Sequence, residues 1–189
     1  MDRTYEWLMR AARAIRENEE LLTDLDRAIG DGDHGANMVR GMDAALERSE
    51  KADNRLRAAG MAIMSVTGGA AGSLYGSALY EASKHLSTIE DIEDIKLLCS
   101  IMLQKIKALG GAEVGDKTIV DVLEPFTNVL NGGKSFGEAL SIAEKALRMT
   151  KDMVAKKGRA SYLGERSAGT IDPGAYSTYL MLKSFEDLI

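Results

Sequence analysis

The amino-acid sequence predicts an all-α protein, built as a bundle of about eight antiparallel amphipathic helices. Apolar residues recur at helical spacing along almost the whole chain, and glycine-rich breaks separate the helical segments. No strand-and-hairpin pattern competes with them, and Pro125 and Pro173 are the only prolines. Of the 189 residues, 45% are hydrophobic, so the chain can bury one substantial core. We therefore expect a single helical domain that spans residues 1–189.

The first half of the chain contains four segments with helical periodicity. Each of them spaces its apolar side chains as one face of an α-helix requires. Their apolar positions are, in order, Tyr5, Leu8, Ala12 and Ile15; Met38, Met42, Ala45 and Leu46; Leu56, Ala59, Ile63 and Val66; and the run from Leu74 to about Leu86.

The fifth and sixth helices follow the same periodicity. Thr88 followed by Asp91 resembles a helix start, and the fifth helix is expected to end at Gly110 and Gly111. We expect Pro125 to kink or shorten the sixth helix, because proline lacks the N–H that a helix interior uses. The apolar positions are Ile92, Ile95, Cys99, Met102 and Ile106 in the fifth helix, and Ile119, Val122, Leu123 and Phe126 in the sixth.

Two capping signals mark the seventh and eighth helices. Ser135 and Glu138 have the spacing of a capping box, so they predict the start of a seventh helix that runs to Gly158. Asp172 followed by Pro173 predicts an N-cap and a proline at the first helical position, where the eighth helix begins.

Composition and charge exclude several classes of protein. The formal net charge is −5 and no basic run occurs, so nothing attracts nucleic acid. The N-terminal segment is charged and amphipathic rather than a signal peptide, and no apolar stretch approaches membrane-spanning length. We therefore expect a cytoplasmic protein without a membrane partner. Cys99 is the single cysteine, and its place on an apolar helix face predicts a small buried residue rather than a nucleophile.

Four loops contain most of the glycines, and we expect them at one end of the bundle. They follow the first, third, fifth and seventh helices, and alternate loops of an antiparallel bundle share an end. The loops comprise residues 26–35, 67–76, 110–118 and 158–174. This shared position is the strongest indication of a functional site that the pattern alone provides.

The first of these loops is acidic, with carboxylates at Asp26, Asp31 and Asp33. Oxygen ligands of this kind suit Mg²⁺, which usually binds one or two protein carboxylates together with substrate phosphates. An ordinary polar turn explains these residues equally well when they are taken alone.

Two known motifs do not explain the acidic loop. Gly30, Gly32 and Gly35 match the spacing of the dinucleotide fingerprint, but no buried strand precedes them. If Asp31 began a calcium loop, Ala36 would stand where glycine is required and Met42 where the bidentate glutamate is required.

The glycines of the second loop can bring backbone N–H groups close to a phosphate. Gly68, Gly69 and Gly72 lie just before the predicted fourth helix, where such an approach is useful. A close helix crossing is an equally good explanation of each glycine by itself. Neither Gly133-Lys134-Ser135 nor Gly115-Asp116-Lys117-Thr118 completes a phosphate-binding P-loop.

Charge limits how a phosphate and the acidic loop can share one end. A phosphate about 4 Å from a carboxylate is repelled by roughly 4 kcal/mol at an effective dielectric constant of 20. Magnesium between them would turn the carboxylates and phosphates into ligands of the same ion. Arg159 and Lys117 are the cations available to supplement the metal.

Four segments, in order, resemble the L subunit of dihydroxyacetone kinase, and together they cover essentially the whole chain. They read Asp26-x4-Asp31-Gly-Asp33-His-Gly-Ala-Asn-Met; Gly68-Gly-Ala-x-Gly-x-Leu-Tyr-Gly76; Gly115-Asp-Lys-Thr118; and Lys157-Gly-Arg-Ala-Ser-Tyr-Leu-Gly-Glu-Arg-Ser167 with Asp172-Pro-Gly174. The resemblance implies an up-down barrel of eight antiparallel helices, with ADP or ATP and a pair of Mg²⁺ held at one end.

The resemblance also implies the residues of that site. Asp26, Asp31 and Asp33 would ligate magnesium. The chain would have no catalytic residue of its own beyond those that position the metal and the nucleotide. The residues implied around the nucleotide are His34, Gly35, Ala36, Asn37, Gly68, Gly69, Ala70, Ala71, Gly110, Thr118, Ile119, Arg159, Asp172, Pro173 and Gly174.

The family further implies a divided active site. A separate K subunit binds dihydroxyacetone through a histidine, and no part of this chain resembles that subunit. In the phosphotransferase-dependent branch, ADP stays bound and is rephosphorylated by a phosphohistidine on an M subunit. Other relatives exchange ATP and fuse the K and L domains in one chain, so the stand-alone length favours the phosphotransferase branch.

Two alternatives stay open at this point. Many relatives have Ser and Pro where this chain has Ala71 and Ser73, which puts tight retention of ADP in question and leaves an ATP-exchanging subunit as an alternative. The chain is also compatible with a nucleotide-binding regulatory module. L subunits can bind transcription regulators, and related domains occur in fatty-acid kinases.

Overall fold

The computed structural model describes residues 2–188, which form nine α-helices and two 3-10 segments and contain no β-strand. This confirms the predicted all-α class. The helices are α1 Thr4–Glu17, α2 Glu19–Ile29, α3 His34–Ser49, α4 Arg55–Val66, α5 Gly69–Ala82, α6 Ile92–Gly110, α7 Val120–Asn131, α8 Phe136–Met149 and α9 Pro173–Lys183. The 3-10 segments are Thr150–Asp152 and Arg159–Ser167.

The predicted first helix is two helices, because Asn18 interrupts it. The Asn18 side-chain amide donates to the Ala14 carbonyl at 2.8 Å, and its backbone N–H donates to the Ile15 carbonyl at 3.2 Å. An asparagine side chain that bonds to the backbone in this way competes with the helical ladder. The first segment thus ends as α1, and α2 continues towards the acidic loop.

Several predicted boundaries differ from the observed ones. Helix α5 begins at Gly69 rather than near Leu74, so most of the second glycine loop is helical, and it ends at Ala82 rather than near Leu86. Helix α8 ends at Met149 rather than at Gly158, because the Thr150 hydroxyl bonds to the Leu147 carbonyl and the chain becomes extended at Met153. Helix α7 is not shortened at Pro125, since it continues to Asn131.

The predicted capping signals are observed with one change. Ser135 and Glu138 form the capping box of α8, and Asp172 caps α9 with Pro173 at the first helical position. Helix α6 begins after Asp91, whose side chain accepts from the backbone N–H groups of residues 93 and 94, so Asp91 rather than Thr88 is the cap.

The helices form a ring in which α1 and α2 both pack on α3, the later helices follow in chain order, and α9 closes the ring against α1 and α2. Trp7 of α1 stacks on Phe185, which follows α9, with ring centroids 4.7 Å apart. The Trp7 indole N–H donates to the Met181 carbonyl at 3.0 Å. Two cavities inside the ring have volumes of only about 20 and 10 Å³, so the side chains around them are closely packed.

The loops between the helices divide between the two ends of this barrel. At one end, the Arg3 backbone N–H donates to the Ile89 carbonyl and the Asn54 side chain donates to the Ser83 carbonyl. At the opposite end, Arg159 joins the fourth loop to the acidic loop and Lys117 joins the third loop to the fourth. Gly110 of the third loop lies near Leu74 of the second, so the glycine-rich loops share one end, as the helix count predicts. No helix among residues 2–188 has the length and apolar character needed to span a bilayer.

Candidate metal and phosphate site

The three acidic residues predicted to bind a metal lie together in the structure. Asp26 is in the last turn of α2, and Asp31 and Asp33 lie between α2 and α3. One oxygen from each carboxylate lies within 4.8 Å of the other two. Hard oxygen donors at this spacing fit Mg²⁺, and a cation between them would relieve their mutual repulsion.

Local backbone contacts fix the acidic loop in this shape. The Asp26 carboxylate accepts from the backbone N–H groups of Asp33, at 2.9 Å, and His34, at 3.1 Å. A Cβ at Gly30 would overlap the other Asp26 oxygen, and Gly32 has a φ of +75°. Asp26 therefore shapes the loop with one oxygen while its second oxygen stays available to a ligand.

Arg159 joins the acidic loop to the fourth loop. Its Nη1 lies 2.8 Å from Asp31 Oδ2, and 66% of the Arg159 side chain is exposed. The structure therefore brings the predicted cation and a predicted metal ligand into direct contact. An exposed guanidinium held beside a metal site can also reach an anion bound to that metal.

The N-terminus of α5 is open to solvent. Gly68, Gly69 and Ala70 are exposed, and no side chain among residues 2–188 caps the first N–H groups of this helix. A Cβ on Gly69 would meet nothing within 4 Å, so the approach to these N–H groups is clear. Unpaired amides at a helix N-terminus favour a phosphate or another anion.

The two interpretations of the second-loop glycines apply to different residues. Gly68 and Gly69 face open space or the Asn37 side chain, as an anion site requires. A Cβ on Gly72 would lie 2.5 Å from the Thr67 carbonyl oxygen, so Gly72 instead permits close packing. Ala71 is half-buried and packs against the hydrophobic core.

The third loop lies between the starts of α5 and α9. A Cβ on Gly110 would lie 3.8 Å from Leu74 of α5, and the Ile119 side chain lies 3.2 Å from the Cβ position of Gly174. Asp121, which is buried, accepts from the Gly115 and Thr118 backbone N–H groups at 2.6 Å each. This carboxylate holds residues 115–118 in place beside α9.

Asp172 occupies the start of α9 as a buried carboxylate. It accepts from the Ala175 N–H at 2.7 Å, and its own N–H donates to the Thr150 hydroxyl at 3.1 Å. Burial raises the pKa of Asp172 to about 7, and the charges of Asp121 and Asp26 act in the same direction. Asp172 is therefore a cap whose charge depends on pH near neutrality.

His34 and Tyr75 connect three helices behind the site. His34 Nε2 lies 3.0 Å from Ser177 Oγ, which lies 2.9 Å from the Tyr75 hydroxyl. The same hydroxyl contacts Thr178 Oγ1 at 2.7 Å and the Gly174 carbonyl at 3.0 Å. Burial lowers the pKa of His34, although the negative charges of Asp26 and Asp33 act in the direction that raises it. This network links α3, α5 and the first turn of α9.

Two predicted site residues next to His34 have different surroundings. Gly35 is buried against α2, where a Cβ would overlap the Glu19 carbonyl and the Thr23 hydroxyl. Ala36 is exposed, and Asn37 is buried beside Gly68 while its side-chain oxygen accepts from Arg40. The close fit of Gly35 sets how near α3 comes to the acidic helix α2.

Lys117 is not available to a phosphate, although its charge suggests that role. Its side chain is buried, and its ammonium donates to the carbonyls of Met153, Ser167 and Thr170. Of the two cations considered, only Arg159 lies exposed at the site.

Sequence reasoning assigned no role to three of the residues that organise this end: Tyr75, Asp121 and Ser177. Tyr75 and Ser177 lie on ordinary apolar helix faces, so nothing local marks them. Asp121 carries a weak signal in the sequence. It lies three residues after Thr118, and a carboxylate at this spacing often accepts hydrogen bonds from the preceding loop.

A surface cleft of about 440 Å³ lies at the opposite end of the barrel, beside Gly133 and Asp187. Its lysines, Lys96 and Lys134, pair with Glu93 and Glu138. Its other charged residues are Glu186 and Asp187, and the group of three carboxylates lies at the other end of the barrel.

Fold and site together define a helical barrel that combines a cluster of three carboxylates, which suits a hard divalent cation, with an open helix N-terminus, which favours an anion. The chain belongs to the DAK2 domain family, whose model matches residues 28–187. Relatives support the assignment over nearly the full length. The chain is 44% identical to the ADP-binding subunit DhaL of PEP-dependent dihydroxyacetone kinase 1 from Listeria innocua, over 93% of this chain and 90% of that protein.

Two further comparisons agree in sequence and in fold. The ADP-binding subunit DhaL of the PTS-dependent dihydroxyacetone kinase from Lactococcus lactis is 39% identical over 100% of this chain and 98% of that subunit. A crystal structure of the dihydroxyacetone kinase from C. freundii in complex with AMP-PNP and Mg²⁺ matches with a TM-score of 0.76 at 21% identity. That match covers 98% of this chain and 33% of the longer kinase, so the fold corresponds to one part of that protein.

Proposed function

We propose that this chain is the nucleotide-binding subunit of a dihydroxyacetone kinase. It holds ADP or ATP with two Mg²⁺ and transfers the phosphoryl group to dihydroxyacetone bound on a separate K subunit. The observation that carries this proposal is the meeting of three carboxylates with an open, glycine-bearing helix N-terminus at one end of the barrel. Identity of 44% and 39% to ADP-binding subunits supports the same function.

In this proposal Asp26, Asp31 and Asp33 hold the metal. When bound, Mg²⁺ neutralises phosphate charge during the transfer. The first N–H groups of α5 donate to phosphate oxygens, since no side chain in the described part of the chain bonds to them. Arg159 adds a positive charge at the rim, and the chain supplies no acid, base or nucleophile of its own.

The remaining residues form the walls that orient the nucleotide. They come from the four glycine-rich loops at one end of the barrel, and none of them lies at the opposite end. We place the following residues around the nucleotide: His34, Gly35, Ala36, Asn37, Gly68, Gly69, Ala70, Ala71, Gly110, Thr118, Ile119, Arg159, Asp172, Pro173 and Gly174.

The phosphoryl donor in this proposal is a phosphohistidine on an M subunit, which rephosphorylates bound ADP. Two of the relatives are named PEP-dependent and PTS-dependent kinase subunits, which supports this branch. The chain acts as one nucleotide-binding domain, and we place its work in the cytoplasm. A contact with a transcription regulator would use the same subunit outside the reaction.

A reconstitution assay tests the proposed function. This chain is mixed with a K subunit, dihydroxyacetone, Mg²⁺ and either ATP or an M subunit with its phosphoryl supply, and dihydroxyacetone phosphate is measured. We expect product with this chain and none with Asp31→Asn, while Asp24→Asn, an exposed carboxylate on α2, retains activity. No product with a K subunit that is active beside a known L subunit would contradict the proposal.

The alternative is a subunit that exchanges ATP, or a regulatory module that binds nucleotide for another partner, as in fatty-acid kinases. Ala71 favours exchange, because it lacks the hydroxyl that many relatives have at this position. The nucleotide released on denaturing the purified protein separates the branches. Stoichiometric ADP supports the phosphohistidine donor, and an empty site supports exchange.

A further inference from the structure

Lys117 is a fully buried cation that the proposed chemistry does not use. Lys117 is 1% exposed. Because lysine is almost never buried without partners, its ammonium group must be bonded inside the protein. Its Nζ donates to three backbone carbonyls: Ser167 and Thr170 at 2.6 Å, and Met153 at 3.2 Å. These bonds satisfy all three N–H donors of an ammonium group.

The three acceptors lie in one segment, which leads from the end of α8 to the start of α9. This segment contains Arg159 in its 3-10 turn and finishes at the Asp172 cap. Lys117 itself belongs to the loop after α6. One side chain therefore connects the third and fourth loops of the site.

Further contacts make the connection specific. The Lys156 N–H donates to the Asp116 carbonyl at 3.1 Å, so the residue before Lys117 also bonds to this segment. The Ala155 N–H donates to Ser167 Oγ at 2.8 Å, which folds the segment back on itself around the ammonium. The Lys117 ammonium thus lies at the centre of contacts made by a segment that lacks α-helical hydrogen bonds of its own.

The backbone of Lys117 indicates that its place is costly to maintain. Its φ is +63°, a conformation that a residue with a Cβ rarely adopts. Burial lowers the pKa of the ammonium, against the attraction of Asp172 and Asp152. Strain and burial at one residue persist only where surrounding contacts require them.

We propose that Lys117 is a positioning residue, which holds the Arg159 segment and the start of α9 in the arrangement that binds nucleotide. This inference rests on the proposed function, because the proposed function is what places a nucleotide at these loops. It gives Lys117 no contact with the phosphates.

The test uses the full chain with Lys117→Met, which keeps much of the apolar stem and removes the ammonium. Amide hydrogen exchange is measured without nucleotide, and the affinity for ADP is measured by calorimetry in excess Mg²⁺. Leu56→Ala, a core change at the opposite end of the barrel, serves as the control for general loss of stability. We expect faster exchange confined to residues 153–172 and an affinity for ADP weaker by about tenfold or more.

A second variant keeps the test decisive if Lys117→Met does not fold. Lys117→Gly removes the backbone strain, because glycine adopts positive φ freely. Added n-butylammonium, which replaces the missing side chain and its N–H donors, should slow the exchange and restore affinity. Tetramethylammonium, which has no N–H donor, should do neither.

The outcomes separate this inference from the proposed function. If wild type binds ADP with Mg²⁺ and Lys117→Met binds it equally well, Lys117 has no positioning role. Exchange that rises equally at both ends of the barrel, as in Leu56→Ala, also overturns the inference. If wild type binds no ADP, the proposed function and the nucleotide role of Lys117 both fail, while the exchange data still decide whether Lys117 orders the segment.

Discussion

Arg159 Nη1 lies 2.8 Å from Asp31 Oδ2, so a cation of the fourth loop pairs with a carboxylate of the acidic loop that we propose as a metal ligand. The pair is largely exposed, and its own contribution to stability is small. Its importance lies in competition, because Asp31 cannot give the same oxygen fully to the guanidinium and to a metal ion.

Replacing Arg159 should therefore have opposite effects on two ligands. We expect Arg159→Met to bind Mg²⁺ alone slightly more tightly, by less than about fivefold, since an exposed pair contributes at most about 1 kcal/mol. Binding of ADP in excess Mg²⁺ should weaken by about tenfold, because a cation at the phosphates is lost. Calorimetric titrations measure both, with Arg166→Met, another exposed arginine of the same segment, as the control. A change of the same sign for both ligands would refute the competition.

Gly30 should be essential to the acidic loop for steric reasons. A Cβ at this position overlaps Asp26 Oδ1, so Gly30→Ala must displace the carboxylate. We expect its affinity for ADP with Mg²⁺ to fall by about tenfold or more. The matched control is Gly137→Ala in the first turn of α8, where a Cβ meets nothing within 4 Å. That control should bind normally and gain about 0.5–1 kcal/mol of stability, as measured by urea unfolding. Normal binding by Gly30→Ala would show that the loop adapts.

Asp172 should make stability depend on pH. Burial raises its pKa from 3.8 to about 7, so the folded state retains a proton that the unfolded state releases in this range. The contribution of this group to the free energy of unfolding therefore falls as pH rises, by up to about 1.4 kcal/mol per pH unit.

The substitution Asp172→Asn removes this slope while an oxygen remains for the Ala175 N–H. We expect the variant to gain stability relative to wild type as pH rises from about 4 to 7, measured by urea unfolding in a chelator. Asp53→Asn, an exposed carboxylate at the opposite end, should leave the wild-type slope unchanged. Parallel stability curves for wild type and Asp172→Asn would contradict the assignment.

Phe185 should be important for closing the barrel and unimportant for binding. It is 2% exposed and stacks on Trp7, so Phe185→Ala should cost about 3–5 kcal/mol of stability. Below its lowered melting temperature the variant should still bind ADP with Mg²⁺. Tyr162→Ala, which removes an aromatic ring that is 89% exposed, should change stability by less than about 0.5 kcal/mol. Loss of binding in folded Phe185→Ala would show that closure and site are coupled.

Much of the fold follows from local sequence signals. The capping box at Ser135 and the Asp172-Pro173 start depend on neighbouring residues alone, and both are confirmed. The break at Asn18 was missed because a side-chain bond to Ala14 leaves the apolar periodicity intact. The early start of α5 was missed because glycines lower helix propensity, although here packing against α4 overrides it.

The candidate site divides in a similar way. The carboxylates at Asp26, Asp31 and Asp33 are close in sequence, so their proximity in space could be predicted. The role of Lys117 could not, because its three partners are carbonyls of residues 153–170, which any sequence would supply. Tyr75 is similar, since its hydroxyl finds its partners on α9 only after the ring has closed.

Trp7 is the single tryptophan of the chain, and it is buried against Phe185 at the end of the barrel away from the carboxylates. Its fluorescence consequently reports whether the first and last helices are joined. The protein thus carries an internal optical probe for folding that needs no label.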